Sequence, residues 1–292
     1  MAESAAPAEW VAAHAGSLHE LSLVRERPWG QIYRYGELWL KINGGGTTYE
    51  PALLDLMRGR PLVPFVVATE PARGWTLLAD AGRSMREIGG GDDEVVERWL
   101  DVLPRYARLQ QSFAGSADAA RVAGVPDHSS QSLLAALRQL APLSARSEDL
   151  LALELTPLVE TVDASGVPAT IEHGDLHDAN VFVDGGGRVS VIDWGDAAIG
   201  HPFMSLLAVQ WLGTGLNWEP DDPRLDVIRD VYLAEWGDPR TWRPVADAAV
   251  RLACVGRALS WSRALRDVSS EVHAQWDHPV TAWLEELLAP AP

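Results

Sequence analysis

Apolar and polar positions along the chain fall into two regimes. The first residues, through about Ala15, predict a short helix with Trp10 and Val11 on its apolar side. From Leu21 to Asn43 the pattern tightens into short runs rich in Val, Ile, Tyr and Trp, broken at Pro28-Trp29-Gly30 and at Gly36. Such runs predict three antiparallel strands, Leu21–Glu26, Gln31–Tyr35 and Leu38–Asn43. Gly44-Gly45-Gly46 ends them, and Thr47–Met57 reads as a helix with Leu53, Leu54 and Met57 apolar. Phe65–Ala68 and Trp75–Ala79 add two further strands. Beyond Gly89-Gly90-Gly91, apolar residues recur every three or four positions. Helices are expected over Asp92–Phe113, Gln131–Leu143 and Ser147–Val162, and again from Pro202 to the end. One β island interrupts them, with runs at Ala169–Glu172, Val181–Val183 and Val189–Ile192. The glycine triplets at 44, 89 and 185 are turns and joints. The expected class is α+β, a small N-terminal antiparallel sheet with one helix followed by a larger, mainly helical part.

Composition narrows this only slightly. At 292 residues the chain exceeds the usual size of one domain, so two lobes are expected. Hydrophobic residues at 47% provide for a sizeable core, and most of the 13 Trp are assigned to core and interlobe packing. The single cysteine, Cys254, excludes an internal disulfide and reads as an inert buried thiol. Neither a secretory signal nor a membrane span is apparent, so a cytoplasmic location is expected, as monomer or homodimer. The formal charge of −17 argues against nucleic acid and anionic membranes as partners, and the field would favour a cationic substrate.

The chemistry concentrates in His173-Gly174-Asp175-Leu176-His177-Asp178-Ala179-Asn180 and Val191-Ile192-Asp193-Trp194-Gly195. The runs joined through Gly185-Gly186-Gly187 form a hairpin that returns Asp193 toward Asp175 and Asn180. Upstream, Lys41 stands alone in the apolar strand Leu38-Trp39-Leu40-Lys41-Ile42, where a cation is costly unless it reaches water or an anionic partner. Glu50, on the next helix, is a candidate partner.

This constellation resembles the aminoglycoside phosphotransferase family, small-molecule kinases related in fold to protein kinases. The family's HGDLHxxN motif and the following I-D-W are intact. The resemblance implies a bilobal protein-kinase-like fold, with residues 1–80 as nucleotide-binding lobe and 81–292 as helical lobe. It implies ATP and Mg²⁺, and transfer of the γ-phosphate to a hydroxyl of a small molecule. Asp175 would be the catalytic base, with His177 facing the transferring phosphate and His173 supporting the loop. Asn180 and Asp193 would hold Mg²⁺, and Lys41, paired with Glu50, would meet the α- and β-phosphates. Trp29 and Gly30 stand in the turn where other kinases carry a glycine-rich loop. The hinge falls near Leu78, Ala79 and Asp80, whose backbone would bond adenine, with Trp75 or Leu78 packing on the base. Asp178, Asp196, Glu219 and Asp222 are candidates for binding an acceptor's ammonium groups, although Asp221-Asp222-Pro223 also reads as a helix start. The family usually places an Asp before the Leu in the stretch Gly200–Leu206, bracing the catalytic loop; here Ser205 stands there.

The acceptor stays open: an aminoglycoside or other cationic antibiotic, an amino sugar or an amino alcohol. Two other classes are distinguishable. His173, Asp175, His177 and His201 as ligands of a hydrolytic zinc or oxygenase iron would leave Asn180, Asp193 and Lys41 unexplained. A non-catalytic nucleotide-binding protein of kinase type would be expected to lack the Lys, the base or the metal Asp. A protein kinase needs an activation segment, and only eight residues separate Asp193 from Pro202.

Overall fold

The computed structural model describes residues 6–16, 19–276 and 278–289. Its N-terminal part is an antiparallel sheet of five strands: β1 (Ser22–Arg27), β2 (Gly30–Tyr35), β3 (Leu38–Asn43), β4 (Val66–Glu70) and β5 (Trp75–Ala79). The strand order is β1-β2-β3-β5-β4. Alternation along β3 turns Leu40 to one face and Lys41 to the other. On Leu40's face, helix α1 (Pro7–Ala15) packs Trp10 and Val11 against Tyr35, Trp75 and Leu77. Helix α2 (Glu50–Met57) presents Leu53, Leu54 and Met57 to the main core. The predicted start at Thr47 is corrected: Gly45–Thr47 is a separate 3₁₀ turn, and Pro51 fits the first turn of α2, where its missing N–H is harmless.

The rest is mainly helical, as its periodicity implies. Helices Asp92–Gln111, Pro223–Ala234 and Pro239–Ala264 surround a core built from residues such as Trp99, Tyr106, Phe203, Ile228 and Leu252. One expected helix, Ser147–Val162, is two: Ser147–Ala152 and Thr156–Asp163. Leu153 leaves helical backbone at ψ 125°, and Pro157 sits in the first turn of the second helix, where its missing N–H is harmless. Short pieces with too few residues for a period escaped the pattern, including Met85–Ile88, Ala117–Val122 and the strand Ala198–Gly200. The predicted hairpin is present, with Val181 opposite Val191 and Val183 opposite Val189. Arg83–Ser84, just beyond the five-stranded sheet, pairs with the hairpin strand Val181–Val183. Gly46 marks the joint between the parts, since a Cβ there would lie 2.5 Å from the Arg263 carbonyl.

Among the described residues no helix is long and apolar enough to cross a membrane. Cys254 is buried, and burial pushes its thiol up to about 12, which matches an inert packing role.

His201 caps the turn Pro202–Leu206, accepting from the Phe203 N–H at 3.3 Å. Burial lowers its pKa from 6.5 to about 4. Because the folded value lies below the unfolded one, the unfolded chain takes up a proton that the folded chain refuses. Stability is therefore full above pH 6.5 and declines as pH falls toward 4, by up to about 3 kcal/mol from this group. His201→Asn keeps a capping oxygen and cannot titrate. Its urea midpoint should fall less than wild type's between pH 7 and pH 4.5.

Candidate active site

The hairpin register sets the geometry. With Val181 opposite Val191, Asn180 and Ile192 face each other, and the Ile192 N–H donates to the Asn180 carbonyl at 2.9 Å. Asp193, the next residue, leaves the strand with φ 64° and ψ 60°, a left-handed conformation that Asp tolerates better than most side chains. That turn ends the strand and brings the Asp193 carboxylate to Lys41, whose ammonium donates to Asp193 Oδ1 and lies 2.5 Å from Glu50 Oε2. Glu50 is only 1% exposed. Its carboxylate also accepts from Asn43 Nδ2 at 2.5 Å and from the Trp194 N–H at 2.9 Å. Burial works against the charge on Lys41, but Asp193 and then Glu50 hold its pKa above the ordinary lysine value. Burial likewise opposes ionisation of Asp193, and Lys41 more than offsets it, keeping the carboxylate below its usual range.

The HGDLHDAN loop lies beside this pair. Buried His173 donates from Nε2 to the Ile192 carbonyl at 2.8 Å and accepts the Asp175 N–H on Nδ1 at 3.2 Å. Both bonds suit the neutral ring, and burial lowers its pKa. The ring packs edge-on against Trp194, 4.7 Å between centroids. Gly174 has φ 76°, and a Cβ there would meet the Asp196 carbonyl at 2.2 Å, so only glycine fits. Asn180 donates to the Asp175 carbonyl at 2.9 Å, which fixes the loop and turns its own side-chain oxygen elsewhere. His177 Nε2 lies 3.5 Å from Asp175 Oδ2. Burial would raise the Asp175 pKa, but Arg257 and then His177 hold it well below the carboxylate range.

Five side chains the sequence singled out therefore meet: Lys41, Glu50 and Asp193 in one cluster, Asp175 and Asn180 beside it. The metal-hydrolase alternative fails on the same geometry. His173 and His201 are committed to backbone groups, and among the described residues no three His, Cys, Asp or Glu side chains form a metal-holding group.

Other expected residues sit differently. The Trp29 ring packs edge-on against Trp261 and Trp276 at 5.2 and 5.1 Å. Gly30 lies within β2, opposite Asn43. Leu78 packs into the main core, whereas Trp75 lies in the separate core under α1, so Trp75 is corrected from a base-stacking candidate to a packing residue. The N–H groups of the expected hinge are already bonded, Ala79 to the Phe65 carbonyl at 3.0 Å and Asp80 to the Glu37 carbonyl at 3.1 Å. Asp178 pairs with Arg86 at 2.6 Å and Asp196 with Arg257 at 2.9 Å. Asp222 caps helix Pro223–Ala234 and pairs with Arg224 at 2.6 Å, while Glu219 is exposed nearby.

Several functional supports escaped the sequence reading. Ser205 belongs to a hydroxyl relay in place of the expected Asp: its Oγ lies 3.1 Å from the Tyr106 hydroxyl, which accepts the His173 N–H at 3.0 Å. Gln110 donates to the same Oγ at 3.2 Å. The Tyr49 hydroxyl reaches the Gly195 carbonyl at 2.6 Å, tying α2 to the segment after Asp193. Arg257, 5% exposed, grips the HGDLHDAN loop itself. A lone arginine in the apolar run Leu252–Ser260 was the available signal, the same one that marked Lys41.

Lys41→Met would leave Glu50 buried without its countercharge. Removing one partner of a buried pair costs about 3 kcal/mol. The urea midpoint should drop, and Lys41→Met combined with Glu50→Gln should lose less than the two single changes added together.

No curated protein matches the chain significantly. Among solved structures, the fold is similar to Plasmodium vivax ethanolamine kinase, with TM-score 0.66 and 10% identity over 97% of this chain and 88% of that one. It is also similar to aminoglycoside 2'-phosphotransferase-IIIa in its GDP complex, with TM-score 0.61 and 17% identity over 94% and 95%. Macrolide 2'-phosphotransferase from Brachybacterium faecium aligns with TM-score 0.57 and 17% identity over 95% and 96%. Identities this low speak for the fold alone. The sequence itself matches the family described as "Phosphotransferase enzyme family" over residues 38–247, from the strand carrying Lys41 through the loop and hairpin, and the chain belongs to that family.

Proposed function

We propose that this enzyme moves the γ-phosphoryl group of Mg-ATP onto a hydroxyl of a small molecule, in the cytoplasm. The observation that carries the reading is the convergence of Lys41, Glu50 and Asp193 beside Asp175 and Asn180, drawn from a strand, a helix and a hairpin far apart in sequence. In this reading residues 1–80 hold the nucleotide, residues 81–292 hold the catalytic loop and acceptor, and the hinge lies near residues 78–80. Asp175 takes or orients the proton of the acceptor hydroxyl as its oxygen bonds to the γ-phosphorus. The bond to the β-phosphate oxygen breaks, and ADP leaves. Lys41, steadied by Glu50, offsets charge on the α- and β-phosphates. His177, within reach of Asp175 Oδ2, faces the group in transit.

Asn180 and Asp193 would hold Mg²⁺. The donor set fits, because each supplies a hard oxygen and the ion commonly takes one or two carboxylates plus nucleotide oxygens. When bound, the ion would neutralise charge on the transferring phosphate.

For the acceptor, the solved relatives named above act on aminoglycosides, macrolides and ethanolamine. Of the four carboxylates considered for ammonium groups, three already have guanidinium partners within the chain. That favours an acceptor of low charge, such as an amino alcohol or amino sugar, over a polycationic aminoglycoside. The test is ADP release across aminoglycosides, macrolides, cyclic-peptide antibiotics, amino sugars and amino alcohols, with Asp175→Asn as the blank. Acceptor-dependent release in wild type only supports the proposal; no release with any acceptor and no binding of Mg-ATP in calorimetry would sink it.

A further inference from the structure

Arg257 projects from the long helix Pro239–Ala264 at a point where that helix is lined with small residues, Ala253, Gly256 and Ala258. It is almost wholly buried, and a buried guanidinium is costly unless its donors are matched. Its donors reach both sides of one pinch. Nη1 bonds the Gly174 carbonyl at 2.8 Å and Asp196 Oδ2 at 2.9 Å, and Nη2 lies 2.7 Å from Asp175 Oδ1. Gly174 and Asp196 are pressed together there, closely enough to exclude a Cβ. One planar fork thus ties the loop carrying Asp175 to the turn after Asp193.

We infer that Arg257 is a positioning residue for phosphoryl transfer: it clamps Asp175 Oδ1 and so fixes which carboxylate oxygen, Oδ2, is presented to the acceptor hydroxyl. The inference rests on Asp175 being the base. It assigns Arg257 no contact with nucleotide, so its loss should affect turnover and spare nucleotide binding. Lysine cannot replace it, because a single ammonium cannot span Gly174, Asp175 and Asp196 with a planar fork. Trp211 and Trp283, stacked at 4.7 Å, flank the guanidinium at 5.7 and 5.8 Å. A cavity of about 20 Å³ opens beside it, lined by Asp175, Trp211 and Ser205 among others.

The test measures ADP release from Mg-ATP, with water as acceptor and with the acceptor the panel above selects, alongside calorimetric binding of the non-hydrolysable analogue Mg-AMP-PNP. Arg257→Met should lower turnover by about 10²-fold, the scale expected when a reacting group is misplaced by roughly 1 Å, with analogue binding unchanged. Arg257→Lys should recover only part of the loss. Added guanidinium at non-denaturing concentration should restore turnover to Arg257→Ala, which a purely structural role would not allow. If these variants do not fold, Asp196→Asn decides, since it loosens the clamp from its other end and should lower turnover while sparing analogue binding. Wild-type turnover in Arg257→Met, or in Asp196→Asn where that variant decides, overturns the inference, as does loss of analogue binding in step with turnover. A wild-type enzyme silent with water and every acceptor would instead overturn the kinase reading on which the inference stands.

Discussion

Asp175→Asn should lower turnover by about 10²–10⁴-fold, the usual contribution of a positioned general base. Asparagine matches the carboxylate in shape, so the main-chain bond from Asn180 to the residue 175 carbonyl survives. The amide oxygen can still accept from Arg257, which also keeps Asp196 and the Gly174 carbonyl. What is lost is the negative lone pair that draws the proton from the acceptor. Lys41, Glu50 and Asp193 are untouched, so Mg-ATP should bind as before. Parallel ADP-release and calorimetric titrations check both halves. Turnover within tenfold of wild type would mean that another group takes the proton.

Much of the fold and part of the site could be read from sequence, and the division has a physical cause. Strands β2, β3 and β5 were legible because a half-buried sheet writes its pleat into residue order, and the hairpin because Gly185-Gly186-Gly187 allowed a turn between two apolar runs. Lys41 stood out because a lone cation in an apolar strand needs an anion, and Glu50 is that anion. Arg257 makes the same demand from a helix, yet its partners lie 61 to 83 residues away, so nothing local announced them. Ser205 defeated the motif reading for a related reason. The expected Asp is replaced by a hydroxyl working through Tyr106 and Gln110, which lie some hundred residues upstream on another helix. Local composition cannot reveal such a relay. The arginines that pair with Asp178 and Asp196 likewise come from distant elements, so local composition did not announce them.

Asp193 is where the nucleotide reading is most exposed to test. Asp193→Asn should weaken Mg-ATP binding by at least about 10²-fold, equivalent to about 2.8 kcal/mol. Asparagine tolerates the left-handed backbone at least as well as aspartate, whereas Asp193→Ala adds backbone strain to the loss of charge. The asparagine variant therefore isolates the carboxylate. The fold should survive, because Lys41 retains Glu50, and Glu50 keeps its bonds from Asn43 and the Trp194 N–H. Binding of ATP without magnesium should change far less, since Lys41 is relieved of one competing anion just as the metal ligand disappears. Calorimetric titrations of both variants with and without Mg²⁺ separate these effects. Equal weakening in the two conditions would remove Asp193 from the metal and leave it as no more than a partner of Lys41.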